Sequence, residues 1–193
     1  MLAALLPALL LGGCASDGAL GRTVDRTLQM AGIKPAEPRA RTIVVRLHAG
    51  TNLNAGSDNR ANAAVIKLYR LRGTQRFEQA PFNAFLDAAR ERSALGEDLL
   101  GVEEVVLVPG ARHEISQALP PEAAALGVVA LFREPADNRW RLAFDARHAR
   151  LDKEGITLGL HACAITTGSP ALITRLAGDP ASLVSTRCSK SPR

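Results

Sequence analysis

From Thr42 onward, short aliphatic and β-branched runs recur at intervals broken by turn residues, and no run is long enough for a large helix. The runs are 42–48 (TIVVRLH), 64–71 (AVIKLYRL), 104–108 (EVVLV), 112–118, 126–133 (LGVVALFR), 139–144 (RWRLAF) and 156–163 (ITLGLHAC). Each has the length and composition of a β-strand. Turn signals at Pro109-Gly110 and in the 135–138 loop (PADN) separate neighbours that hairpins would join. In the run 139–144, Trp140, Leu142 and Phe144 alternate with Arg139, Arg141 and Ala143, which predicts one dry face and one wet face. One segment departs from this rhythm. Between Pro81 and Arg92, Phe82, Phe85, Leu86 and Ala89 fall at helical spacing, with Pro81 suited to a first turn and the basic residues to a last one. Many strands and one short helix predict a mainly all-β fold, a two-sheet antiparallel β-sandwich with a short helical insertion. No glycine-rich strand–turn–helix fingerprint supports a nucleotide-binding fold.

The N-terminal end follows other rules. Residues 1 to 11 are all apolar, too few to cross a bilayer as a helix but the size of a signal-peptide hydrophobic region. The following Leu11-Gly12-Gly13-Cys14 resembles the lipobox of bacterial lipoproteins, in which small residues lie extended in a peptidase groove and the cysteine sulfur accepts lipid. The chain therefore divides into 1–13, a lipoprotein signal peptide; 14–40, a lipidated tether rich in small residues; and 41–193, the sandwich domain. More than one acyl chain on Cys14 holds a protein firmly where a single chain does not. Ala15, rather than Asp, after the cysteine favours the outer membrane. No Lys or Arg precedes the apolar run, so the true start is expected upstream of Met1.

Charge and chemistry-bearing residues narrow the function. The net charge is +5, but basic residues alternate with acids, as in Arg90-Glu91-Arg92 and Asp152-Lys153-Glu154, and no basic run with interleaved aromatics marks a nucleic-acid surface. His48, His113, His148 and His161 stand far apart and form no metal-ligand spacing. There is no nucleophile elbow, and the doublets Glu97-Asp98 and Glu103-Glu104 point to opposite faces of an extended chain. These features point away from an enzyme and from a metal centre. If Cys14 carries lipid, Cys163 and Cys188 remain, and an exported chain meets an oxidising compartment where they are expected to pair. The longest polar insertion is 49–62 (AGTNLNAGSDNRAN), with four Asn and no core, and loops of this kind are commonly functional. Leu53 and Arg60 are its expected contact anchors, the rest offering hydrogen bonds.

Four motifs in order sharpen this picture: 65–71 (VIKLYRL), 94–100 (ALGEDLL) leading to 104–110 (EVVLVPG), 126–134 (LGVVALFRE), and Trp140-Arg141. Behind a lipobox, they resemble the TssJ/VasD family, the outer-membrane lipoprotein of type VI secretion systems, over about residues 42–144. The resemblance implies a transthyretin-like β-sandwich tethered by lipid to the periplasmic face of the outer membrane, with no cofactor beyond the lipid on Cys14. It also implies that the loop between the first two strands docks on the periplasmic C-terminal region of TssM, and through it indirectly meets TssL. Carried onto this chain, the loop residues are Asn52, Leu53, Asn54, Asp58, Asn59 and Arg60. The family's prolines before the second strand are absent from 60–64, and the tail from Cys163 to Cys188 falls outside the family pattern. The competing reading is a periplasmic carrier for a small apolar ligand, which requires a sizeable cavity.

Overall fold

The computed structural model describes residues 40–184 and 186–188; the expected signal peptide, Cys14 and most of the expected tether fall outside the described residues. Eight strands form two four-stranded sheets. They are β1 (Arg41–Ala49), β2 (Ala64–Leu71), β3 (Leu99–Leu107), β4 (Arg112–Leu119), β5 (Ala125–Ala130), β6 (Arg141–Asp145), β7 (Ile156–Leu160) and β8 (Ile165–Thr167). One sheet has the order β4-β1-β7-β8 and the other β3-β2-β5-β6. Period-two patterning decides which side of each strand is dry: in β1, Ile43, Val45 and Leu47 are buried while Thr42 and His48 face solvent. Ile66 and Leu68 of β2 and Leu142 and Phe144 of β6 join them in one continuous hydrophobic core.

The topology differs from a run of hairpins. Pro109-Gly110 does not join paired strands, because β3 pairs with β2 and β4 with β1; the turn carries the chain from the edge of one sheet to the edge of the other. The pairing of β1 with β7 is parallel, with Val45 opposite Ile156, so the first sheet is mixed. Where the sequence predicts one strand to Cys163, the chain turns after Leu160 and returns as β8. The expected wet face of the 139–144 run is also covered: Ala143 and Arg139 are buried. The C-terminal segment explains this, since Ile173 N–H donates to Ala143 O and the Arg139 guanidinium donates to Ala177 O and Asp179 O. Cys163 and Cys188 form a disulfide with Cα atoms 5.5 Å apart, packed with Ala136, Ala164 and Leu183 in a small second cluster.

The helical insertion lies over the face of β2 that carries Lys67 and Tyr69, and it is broken where the sequence predicts continuity. It comprises α1 (Gln75–Gln79), a 3-10 turn at Phe82–Leu86, and α2 (Ala88–Leu95). Asp87 causes the break. Its extended backbone ends the 3-10 turn, and its carboxylate accepts from Ala89 N–H (3.1 Å) and Arg90 N–H (2.9 Å), starting a new helix as an N-cap. These bonds, the one from Arg90 foremost, hold its carboxyl below the usual value. The restart turns Leu86 and Ala89 out to solvent and brings Glu91 and Leu95 inward instead. Glu91, which reads as surface charge in its sequence context, is therefore buried, where it accepts from Lys67 Nζ (3.2 Å) and from the Tyr69 hydroxyl. Tyr69, Phe77 and Phe85 stack with ring centroids 5.5–5.8 Å apart beneath the helices. Arg141 grips the end of α1 by donating to the carbonyls of Phe77, Glu78 and Ala80.

Candidate docking loop

The segment between β1 and β2 is a built structure, and backbone bonds fix its base. Gly50 N–H donates to Leu160 O (2.7 Å), Leu53 N–H to Gly50 O (3.0 Å), Asn54 N–H to His161 O (3.0 Å) and Asn62 N–H to Leu53 O (2.9 Å). Leu53 is 0% exposed and belongs to the main core. That overturns its expected role as a surface contact: it is the apolar plug that seats the loop on the sandwich.

Asn54 is likewise inside, 4% exposed, rather than at a contact surface. It takes a left-handed backbone (φ 52°), a conformation that asparagine tolerates better than most residues. Its amide donates to Ala63 O (2.8 Å) and its side-chain oxygen accepts from Arg133 N–H (2.7 Å). One side chain thus ties both ends of the loop to the chain that follows β5.

Beyond this base the chain makes a 3-10 turn at Gly56–Asp58, which leaves through Asn59, also left-handed (φ 54°). Glu134, itself buried, accepts from Ser57 N–H (2.7 Å) and Ser57 Oγ (3.0 Å). Gly56 lies flat on that carboxylate at φ +61°, where a Cβ would come within 3.2 Å of Glu134 Cδ. Arg133 adds an ion pair to Asp58 (3.2 Å). The Asp58 carboxyl is held below its usual value, first by Arg60 N–H (3.1 Å) and then by Arg133.

Four of the six residues picked from sequence therefore share the solvent-facing rim: Asn52, Asp58, Asn59 and Arg60. Leu53 and Asn54 lie beneath it. Sequence reasoning missed Arg133 and Glu134, which grip the loop from 75 or more positions away in the chain. The only local hint is Gly56, a residue without a side chain where a carboxylate must approach. His161 supplies a backbone carbonyl to the loop, while its ring Nε2 lies 2.9 Å from Thr166 Oγ1; burial lowers its pKa.

Surface clefts of about 250–280 Å³ occur elsewhere on the domain, one lined by Glu78, Arg141 and Arg175, another by Asp137, Arg139 and Arg187. Such charged linings do not suit the apolar ligand that the carrier reading requires.

Comparison with known proteins agrees with the architecture. The family described as "Type VI secretion lipoprotein, VasD, EvfM, TssJ" matches residues 41–163, from the first residue of β1 to the first disulfide cysteine. Among curated proteins there is no match. Among solved structures, the T6SS lipoprotein TssJ1 from Pseudomonas aeruginosa is 29% identical with a TM-score of 0.57, the alignment covering 72% of this chain and 99% of that one. A chain of a structure described as a type VI membrane complex superposes with a TM-score of 0.60 at 22% identity, covering 68% of this chain and 100% of that one. A chain of the structure of the C-terminal domain of the T6SS protein TssM from EAEC does so with a TM-score of 0.58 at 20% identity, covering 67% and 98%. The two-sheet sandwich with its helical insertion is thus a TssJ-like fold, and the family is one of structural lipoproteins and not of enzymes. This chain belongs to the TssJ/VasD family of type VI secretion lipoproteins.

Proposed function

We propose that this lipoprotein is the outer-membrane docking component of a type VI secretion membrane complex, anchored by lipid on Cys14 and engaging the periplasmic C-terminal region of TssM through the loop between β1 and β2. The observation that carries the reading is the construction of that loop: an exposed polar rim of Asn52, Asp58, Asn59 and Arg60 on a base immobilised by Leu53, Asn54 and Glu134. A rim already held in one shape loses little conformational freedom on binding, so few contacts are needed for useful affinity. Similarity to chains from a type VI membrane complex and from a TssM C-terminal structure supports TssM as the partner. β1 starts at Arg41 and finishes where the loop begins, nine residues later, so the start of the strand and the base of the loop are on the order of 25–30 Å apart at about 3.3 Å per residue. Anchoring two partners in facing membranes raises their effective concentration, which favours even a modest contact.

Changing Asn52, Asp58, Asn59 and Arg60 together to Ser or Gly leaves the base intact and should weaken binding to the periplasmic part of TssM by tenfold or more, about 1.4 kcal/mol. Undiminished affinity in a folded variant overturns the loop assignment. Mass spectrometry of the mature N terminus tests the lipid: an unmodified Cys14 overturns the anchor.

A further inference from the structure

The two sheets present four edges, in pairs on two sides of the sandwich, and the described residues cover only one side. Along β6, Asp145 N–H donates to Ala171 O, Ile173 N–H to Ala143 O, and Ala143 N–H to Thr174 Oγ1, so the C-terminal segment closes that edge. On the opposite side β3 and β4 each lack a second neighbour among the described residues. The β4 edge is guarded in the usual way, by the exposed Arg112, His113 and Glu114. The β3 edge is charged only at its middle, by the exposed Glu103 and Glu104. It runs nine residues without Lys or Pro, and on the face that carries Glu104 it exposes Val102 (37%), Val106 (61%) and, just past its end, Val108 (56%). A long edge strand with bare valines is a template for pairing with another chain.

This bare stretch adjoins the docking loop. Val106 sits opposite Val65, and Leu131 N–H donates to Val65 O, so these three partly or fully exposed side chains form an apolar strip across β3, β2 and the chain after β5. The strip begins beside Ala61–Ala63, where the loop enters β2, and the turn after Val108 is bonded to the loop through Gly110 N–H and Gly50 O (3.2 Å). The helical insertion covers the face farther down, over Lys67 and Tyr69.

We propose that the docking surface extends from the loop onto the open edge of β3, which takes an extended segment of the same partner as an added strand. This rests on the docking reading above. The chemistry of the edge defines the segment. It pairs by backbone hydrogen bonds and is apolar at alternate positions, to cover Val102, Val106 and Val108. Near its middle it carries Lys or Arg, to meet Glu104, which shares the Lys67 ammonium with buried Glu91, whereas Glu103 faces the other way and accepts from Gln117 Nε2 (2.7 Å). Glu103 disfavours a second copy of this chain, because antiparallel pairing of β3 about its midpoint sets it opposite its own copy.

The test uses the full mature lipoprotein in detergent and the periplasmic C-terminal region of TssM from the same system. The double variant Val106→Glu with Val108→Glu alters two solvent-exposed side chains and should bind at least tenfold more weakly, with unchanged Tm. Amide exchange of residues 102–107 should slow in the wild-type complex. Full affinity of this variant, alongside loss of affinity in the loop variant, overturns the edge and leaves the loop reading standing. Absence of TssM binding by the wild type overturns both. A wild-type dimer that the valine variant dissociates, with TssM affinity unchanged, identifies a second copy as the occupant and overturns the proposal. Should the variant not fold, the exchange measurement decides: fast exchange of β3 amides in the complex overturns it.

Discussion

Asn54 and Glu134 show how a polar side chain can serve by facing inward. In a stretch with four asparagines, composition suggests interchangeable surface amides, yet Asn54 is a buried strut and Asn52 and Asn59 belong to the rim. Composition could not separate them, because the difference lies in which ones meet Arg133 and Ala63. Leu53 was legible as unusual and misread as a contact for the same reason. Removing the acceptor that organises the turn should be measurable. Glu134→Ala leaves Ser57 N–H without its partner and should cost about 1–3 kcal/mol in denaturant unfolding, with faster amide exchange at 56–60. Glu134→Gln, which keeps an acceptor oxygen, should recover much of that. His161 gives a pH signature. Burial lowers its folded pKa below the ordinary 6.5, so the unfolded chain binds the extra proton first. Its contribution to stability is full above about 6.5, falls as pH drops from there towards the folded pKa, and flattens below it. His161→Gln should remove that part of the acid slope in a Tm–pH series.

At the scale of elements, the helical insertion is the least local part of the fold. The 81–92 stripe was visible, but Asp87 splits it, and capping by a side chain that takes two N–H groups outweighs the continuity of an apolar pattern. Glu91 shows the cost of reading charge without neighbours: flanked by two arginines, it faces inward onto Lys67 and Tyr69. The Tyr69 hydroxyl, its pKa pushed up by burial and then by Glu91, stays a donor across the whole working pH range. Glu91→Ala would strand the Lys67 ammonium with only the half-exposed Glu104 and leave the Tyr69 hydroxyl without its acceptor. A destabilisation of about 3–5 kcal/mol is expected by chemical denaturation. Replacing the whole Lys67–Glu91 pair with apolar residues of similar size should cost far less, since the penalty lies in the orphaned charge.

For the whole molecule, most strands were readable because their alternation is local, whereas the mixed sheet was not. Nothing near Val45 announces a parallel partner more than a hundred residues away at Ile156. Nor does the 139–144 run announce that the C-terminal segment, closed into a loop by the Cys163–Cys188 bridge across 25 residues, will cover its polar side. Closing a loop of that size stabilises by about 3 kcal/mol in the chain-entropy model. A Cys163→Ser, Cys188→Ser double variant should lose roughly that much and show faster exchange across 171–184 with β1 and β2 still protected.

The course of β1 has a mechanical meaning. In the proposed assembly the lipid pulls on one end of this strand and the partner on the other, so tension across the envelope runs along its axis. Its ladder bonds to β4 on one side and β7 on the other lie across that axis. The load passes along the covalent backbone of β1 while the ladders on both sides hold the strand in place, which makes the strand joining anchor to loop the member best placed to carry force.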